Sequence, residues 1–302
     1  MKVNVFWDIK DGPWGGGNQF LKILKKYLIN NNDYCDDPTK SDVILVNSKD
    51  KLKEAALLKE KHSKVLIHRI DGVFSIYRGE HEKHNDLMVY DFAKRYADGV
   101  VFQSNWSMKA SKNNGMSNSL FEVVIHNCSD ESIFNRSEGS GGNKIRLITS
   151  SWSDNPKKGF AIYKYLDDHL DFNKYEYVFV GRSSVGFKNI KMAGLMSSSQ
   201  MSSEFQKAHV FVTAVQSDAC SNSLTEALSC GLPSVVLNSG GSPEILRDGG
   251  ELFESEADVI NKIEKVCGNL SSYKDKINVD GIEVVGKKYY NFMKMVYDTK
   301  QT

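Results

Sequence analysis

The sequence predicts an α/β protein made of two consecutive Rossmann-like halves, each a parallel sheet flanked by helices. Three observations carry that prediction. Short apolar runs of strand length alternate with longer amphipathic stretches; the alternation breaks at a Ser/Gly-rich stretch near the middle; and it then restarts at similar size. At 302 residues and 40% hydrophobic content the chain is long enough for two domains with substantial cores.

The first half opens with the strand-like run Val3-Asn4-Val5-Phe6 and a helical stretch near Gln19 to Leu28. Val43-Ile44-Leu45-Val46, a charged helical stretch from Lys51 to Lys61, and Val65-Leu66-Ile67 follow, which is β-α-β-α-β order and hence a parallel sheet. A helix from about Asn85 to Tyr96 and the strands Gly99-Val100-Val101-Phe102 and Glu122-Val123-Val124-Ile125 complete this half. Residues Asn135 to Asn143, rich in Ser, Gly and charge, read as a linker. The pattern restarts with Ile145-Arg146-Leu147-Ile148, a helix near Phe160 to His169, Tyr177-Val178-Phe179-Val180, Val210-Phe211-Val212 and Ser234-Val235-Val236-Leu237. Gly286 to Val296, with Tyr289, Phe292, Met293 and Val296 at helical spacing, reads as a closing helix. No literal repeat relates the halves. The expected division is 1–137, 138–284 and a terminal helix at 285–302, with the two sheets facing a cleft, because open α/β sheets place ligands at their strand ends.

Thirty-nine basic residues against thirty-eight acidic ones give a formal charge of +1, which argues against a nucleic-acid partner. Lys22, Lys25 and Lys26 give the first helix a basic face, which fits a solvated surface better than a peripheral membrane contact. Met1 to Asp8 is too short and polar for a signal-peptide core, and no apolar run approaches membrane-crossing length. A soluble, cytoplasmic protein is therefore expected. Five cysteines (Cys35, Cys128, Cys220, Cys230, Cys267) without C-x-x-C or Cys/His spacing read as free thiols, not as disulfides or a zinc site.

The most informative stretch is Asp218 to Glu226. Val210-Phe211-Val212 reads as a buried strand, and Ser217-Asp218-Ala219-Cys220-Ser221-Asn222-Ser223 supplies turn and cap residues before a helix. A helix N-terminus there favours phosphate, and two acids seven residues apart can accept hydrogen bonds from sugar or ribose hydroxyls. Ser223-Leu224-Thr225-Glu226 also fits an ordinary S-x-x-E capping box.

Taken with Ala208-His209-Val210-Phe211-Val212 before it and Cys230-Gly231-Leu232-Pro233 after it, this segment resembles the E-x7-E region of family-four retaining glycosyltransferases, with Asp218 in place of the first Glu. Ser239-Gly240-Gly241-Ser242-Pro243-Glu244-Ile245 resembles the family's G-G-x-P-E segment, in the right order. The resemblance spans nearly the whole chain and implies the GT-B fold, whose C-terminal helix crosses back to the first domain. It also implies transfer of a hexose from a nucleoside-diphosphate sugar (UDP or GDP) to a saccharide, lipid-linked or protein acceptor with retention of configuration, in glycan or surface polysaccharide synthesis, with neither metal nor cofactor.

The family pattern carries over residue by residue. Glu226 would hold the ribose and Asp218 the hexose hydroxyls, while backbone N–H groups of Cys220, Ser221, Asn222 and Ser223 would face the diphosphate. Lys158, in Lys157-Lys158-Gly159, matches the family's Lys-Gly pair that neutralises the diphosphate; the accompanying Arg falls on Ser153 and is absent. Each such charge-assisted contact is worth ~1.5 to 3 kcal/mol, which leaves room for another cation to substitute, and Arg182, after Val180-Gly181, is a candidate. Gly15-Gly16-Gly17 lacks G-x-G-x-x-G spacing and by itself fits a turn as well as a phosphate loop; the resemblance places Gly16 and Gly17 under the donor diphosphate. In Ile67-His68-Arg69-Ile70-Asp71-Gly72, Asp71 falls on the second member of the family's catalytic pair and Ile70 replaces the His, with His68 read as a sheet residue. Val124 to Phe134 resembles the family's hinge segment, with Asn127, Asp130 and Phe134 matching, and reads as a structural turn. The departures at Asp218, Ser153 and Ile70 leave two alternatives: a nucleotide-sugar-binding homologue without turnover, and a sugar-nucleotide epimerase of the same shape, which would need acids and bases for proton transfer.

Overall fold

The computed structural model describes residues 1–12, 15–117, 121–136 and 143–302. The chain divides into two compact units, residues 1–127 with 280–302, and residues 128–279. The change of unit comes at Asn127 and Cys128; of the stretch read as a linker, residues 137–142 lie outside the described residues.

The first unit contains β1 (Val3–Val5), α1 (Gly16–Asn30), β2 (Val43–Asn47), α2 (Leu52–His62), β3 (Val65–Ile70), α3 (Phe74–Arg78), α4 (Lys83–Tyr96), β4 (Gly99–Phe102), α5 (Asn105–Asn113) and β5 (Glu122–Val124). Its strands are parallel and lie in sequential order, β1-β2-β3-β4-β5. Every residue of β2, β3 and β4 is buried, as expected of a parallel sheet covered on both faces. Ile44, Val46 and Leu66 pack on one side against Ala55, Ala56 and Phe92 of α2 and α4.

The second unit contains β6 (Ile145–Ser151), α6 (Phe160–His169), β7 (Tyr175–Gly181), β8 (Lys191–Met192), α7 (Ser198–Gln206), β9 (Val210–Thr213), α8 (Asn222–Ser229), β10 (Ser234–Leu237), α9 (Ser242–Leu246), β11 (Gly250–Phe253), α10 (Glu256–Cys267) and α11 (Leu270–Lys276). Six parallel strands run in the order β11-β10-β9-β6-β7-β8. The chain thus moves outward from β6 to β8, returns to lay β9 beside β6, and moves outward again on the other side. Strand order reverses between β6 and β9, and ligands of open α/β sheets bind at such a switch, outside the carboxyl ends of the strands. Alternate side chains of this sheet feed two core layers: Ile148, Val178 and Phe211 with α7 and α8, and Leu147, Phe179 and Val212 with α6 and α10.

The last helix, α12 (Ile282–Gln301), returns to the first unit. Gly286 is where it closes on α1, since a Cβ there would lie 2.5 Å from the Tyr27 ring. Phe292 and Val296 of α12 pack at Gly99 beside Ile67. Of the basic face on α1, Lys22 pairs with Asp11 at 2.7 Å and Lys25 with Asp36 at 3.5 Å. All five cysteines are free thiols. No helix among the described residues is long and apolar enough to cross a membrane.

Candidate functional site

Three loops meet at the carboxyl ends of β6, β9 and β10. After β6, Asn155 accepts a hydrogen bond from the Lys157 N–H at 2.8 Å and starts a short 3-10 turn, Pro156–Lys158. Gly159 ends that turn at φ +83°, and a Cβ there would lie 2.3 Å from the Ala214 carbonyl. The Lys157 carbonyl accepts from the Gln216 N–H at 2.7 Å, so the β6 loop is sewn to the β9 loop. On the other side the Ser239 hydroxyl accepts from the Ser217 N–H at 3.0 Å, and the Asp218 carbonyl accepts from the Gly241 N–H at 2.8 Å. Gly240, at φ +65°, allows that approach; a Cβ would sit 2.4 Å from the Asp218 carbonyl. Ser217 itself holds φ +55°, a left-handed conformation costing a non-glycine residue on the order of 1–3 kcal/mol and typical of sites whose surroundings over-determine them.

This stitching brings together three sequence motifs far apart in the chain. Lys158 Nζ lies 3.7 Å from Asp218 Oδ2, and both side chains are only part-exposed. Asp218 Oδ1 accepts from the Cys220 N–H at 3.2 Å, which turns the chain into α8.

The capping-box reading of Ser223 and Glu226 is corrected here. The helix begins at Asn222 with Ser221 as N-cap, and Ser221 makes no side-chain capping bond. The Asp218 turn and the Ser221 carbonyl, which accepts from the Thr225 N–H and hydroxyl, start the helix two residues earlier than S-x-x-E implies. Glu226 therefore stands in the second turn, half-buried. Burial pushes its carboxyl up to about 8, with no partner contributing to the shift.

The remaining predicted positions fall at several places. Cys220 is buried in the core layer under α8, and Ser221 is buried too. Asn222 and Ser223 are part-exposed, and the Ser223 hydroxyl lies 3.3 Å from that of Ser221. Arg182 follows β7, next to β6, and its guanidinium lies 5.4 Å from the centre of the Trp152 ring, an exposed pairing that sequence reasoning missed. Nothing else in the spacing marks Trp152.

In the first unit, Gly16 opens α1 with Gly15 as N-cap. A Cβ at Gly15 or Gly17 would meet nothing within 4 Å, so packing gives no reason for glycine there. Asp71 lies just past β3 and is bound at Oδ1 by Arg69 Nη1 at 2.9 Å and Gln103 Nε2 at 2.7 Å. His68 is fully buried: Nε2 donates to the Ser48 carbonyl at 2.7 Å, the ring meets Phe92 edge-on, and burial lowers its pKa to about 4. It is a neutral sheet residue. Arg69 was missed as a functional candidate, although a cation inside an all-buried strand is itself a signal, since arginine is almost never fully buried unpaired. Asn127 accepts from Arg69, and Asp130 holds a turn by accepting from the Ser132 N–H at 3.0 Å. Among the described residues no group of three His, Cys, Asp or Glu side chains is placed to hold a metal ion.

Residues 170–269 match the sequence model of the family described as Glycosyl transferases group 1. That segment contains Arg182, Asp218, Glu226 and Gly240 to Glu244. No curated protein matches the sequence. Among solved structures, the chain is similar to HepE of Anabaena in complex with UDP, at TM-score 0.74 and 14% identity, covering 98% of this chain and 100% of that one. It is also similar to the sucrose-phosphate synthase of Thermosynechococcus elongatus, at TM-score 0.69 and 11% identity, covering 94% of this chain and 79% of that one. A third similarity is to the catalytic domain of starch synthase IV of Arabidopsis thaliana, bound to ADP and acarbose, at TM-score 0.66 and 11% identity, covering 94% and 79%. The fold is the two-sheet GT-B fold of these glycosyltransferase structures.

Proposed function

We propose that this chain is a retaining glycosyltransferase of the E-x7-E type, here D-x7-E, which moves a hexose from a nucleoside-diphosphate sugar to a saccharide-type acceptor in glycan synthesis. The observation that carries the reading is the three-loop junction at the switch point: Lys158 beside Asp218, with Gly240 and Gly241 against the Asp218 backbone. It lies at the β6, β9 and β10 ends, and all of it except the Lys158 loop falls inside the family-matched segment. The solved relatives with UDP, with UDP-glucose and with UDP plus glucose make a uridine nucleotide the first donor to test.

In this reading Glu226 accepts hydrogen bonds from the ribose and Asp218 from hexose hydroxyls. As the sugar departs, charge builds on the diphosphate. Lys158, Arg182 and the backbone N–H groups of Ser221, Asn222 and Ser223 are the donors for that charge, which is where preorganised electrostatics acts most strongly. The retained configuration follows if the acceptor enters on the face the diphosphate leaves, its proton passing to a phosphate oxygen. In the first unit, Gly17 has open space where a Cβ would stand, and Asp71 meets the acceptor. No side chain is asked to hold a metal or cofactor, so turnover is expected to persist in chelator. We place this work in the cytoplasm, on cytoplasmic nucleotide sugars.

The test is release of UDP from UDP-glucose, UDP-galactose or UDP-N-acetylglucosamine with a panel of saccharide acceptors in the presence of EDTA, for wild type and Glu226→Ala. Wild-type turnover that the variant loses, with an unchanged fold, supports the proposal; strict dependence on added manganese or full activity of the variant overturns it. Binding without turnover would assign the non-catalytic homologue, and a changed sugar on the donor alone would assign the epimerase.

A further inference from the structure

We infer that Arg69 is a positioning residue that fixes Asp71 so that its Oδ2 oxygen accepts a hydrogen bond from a hydroxyl-bearing ligand, a saccharide, at the carboxyl end of the first unit's sheet. The identity of that saccharide as the acceptor rests on the transferase reading; the hydroxyl-binding role does not.

Arg69 has no exposed surface, yet each of its nitrogens is engaged. Nε donates to the Tyr289 hydroxyl at 3.2 Å, Nη1 to Asn47 Oδ1 at 2.5 Å and Asp71 Oδ1 at 2.9 Å, and Nη2 to Asn127 Oδ1 at 2.7 Å. The guanidinium lies 4.9 Å from the centre of the Phe20 ring. The partners are locked in turn: Asn127 Nδ2 donates to Gln103 Oε1 at 3.0 Å, and Gln103 Nε2 donates to the Ile70 carbonyl at 3.1 Å as well as to Asp71 Oδ1. Five elements, β2, β3, β4, the end of β5 and α12, thus converge on one carboxylate.

The convergence is one-sided. Oδ1 takes both short bonds, while Oδ2 receives only a long one, 3.4 Å from Asn47 Nδ2. Arg69, Asn47, Gln103 and Asn127 are all buried, but the Asp71 side chain remains 36% exposed. An ion pair serving only to neutralise a buried cation would be buried at both ends. This one brings a carboxylate of fixed orientation to a part-exposed position, with Oδ2 its less-engaged oxygen. Asp50, whose carboxyl is pushed up by burial and then by Asp71, stands close by with Asp8, alongside Lys49 and Lys10.

The rotamer lock makes Asp71→Asn a specific probe. Arg69 and Gln103 both demand an oxygen at the Oδ1 position, so the new amide must place its NH2 where Oδ2 stood and turn an acceptor into a donor. The experiment is calorimetric titration of the full chain, saturated with UDP, with D-glucose, N-acetylglucosamine and octyl glucoside, for wild type, Asp71→Asn, Arg69→Lys and Gln103→Leu. At least one sugar is expected to bind wild type, with affinity about tenfold lower in Asp71→Asn, several-fold lower in Arg69→Lys and Gln103→Leu, and UDP affinity within about twofold throughout. Gln103→Leu carries the positioning test if Arg69→Lys fails to fold. Sugar binding absent from wild type, or unchanged in Asp71→Asn, overturns the inference. Should UDP itself fail to bind, the donor reading falls separately, and the same sugar titrations on the unloaded chain decide this one.

Discussion

Burial pushes the Glu226 carboxyl up to about 8, so at pH 7 it is mainly protonated, and ionising it costs stability. Its folded pKa lies above the unfolded value of 4.5, so the stability this group contributes is full below pH 4.5 and is lost as pH rises to and through 8. Glu226→Gln is therefore expected to melt above wild type at pH 7, by on the order of 2 kcal/mol after allowing for its half-exposed side chain, in thermal denaturation across pH 5 to 9. Ribose hydroxyls would stabilise the ionised form. UDP affinity should then tighten by up to about tenfold per pH unit from 6 to 8, with proton release seen by calorimetry in two buffers, and both effects should vanish in Glu226→Gln. His68 works in the opposite direction. Its pKa falls from 6.5 to about 4, so the stability it contributes is complete above 6.5 and is lost as pH drops through 4. His68→Gln should remove up to about 3 kcal/mol of acid sensitivity in that window while sparing nucleotide binding.

At the scale of elements, the loops matter more than the helices they precede. Gly159 and Gly240 are compelled by backbone carbonyls within 2.3 Å and 2.4 Å of a would-be Cβ and by positive φ, whereas Gly17 faces open space. Gly240→Ala is expected to lower stability by on the order of 1–3 kcal/mol and to lose nucleotide-sugar binding, because the Asp218 backbone must shift. Gly17→Ala should leave Tm unchanged and reduce turnover, measured by UDP release; equal losses of Tm and turnover would make Gly17 structural. Strand positions were readable because parallel-sheet strands are continuous apolar runs, as in Val43 to Val46. The short or Ser-rich helices α3, α7 and α9 were not, since five to nine residues such as Ser198–Gln206 hold too few apolar positions to show a period. The N-cap of α8, Ser221, falls within the turn and cap residues Ser217 to Ser223, while the S-x-x-E alternative fails because a capping box is a local pattern and Asp218 and the Gly240 loop, which set the turn, act from outside it.

Over the whole molecule, the two sheets differ in what their topology announces. The second unit carries a strand-order switch, and Lys158 and Asp218 lie in loops at that switch. The first unit runs in sequential order, and no strand-order reversal points to Asp71. What marks it is the buried Arg69 network, which depends on contacts between residues as distant as Arg69 and Tyr289 and is invisible to spacing. The terminal helix supplies that contact and belongs to the first unit. Gly286→Ala, which would drive a Cβ to 2.5 Å from the Tyr27 ring, should weaken docking of α12 and lower Tm, with proteolysis of the last 20 residues as the readout. The central claim, that the junction at the switch point holds a nucleotide sugar through Glu226, is tested most directly by calorimetric titration of wild type and Glu226→Gln with UDP-glucose at pH 8. The account predicts saturable binding to wild type and a loss of at least tenfold in a variant that melts no lower; equal affinity in the two proteins, or no binding by wild type, would contradict it.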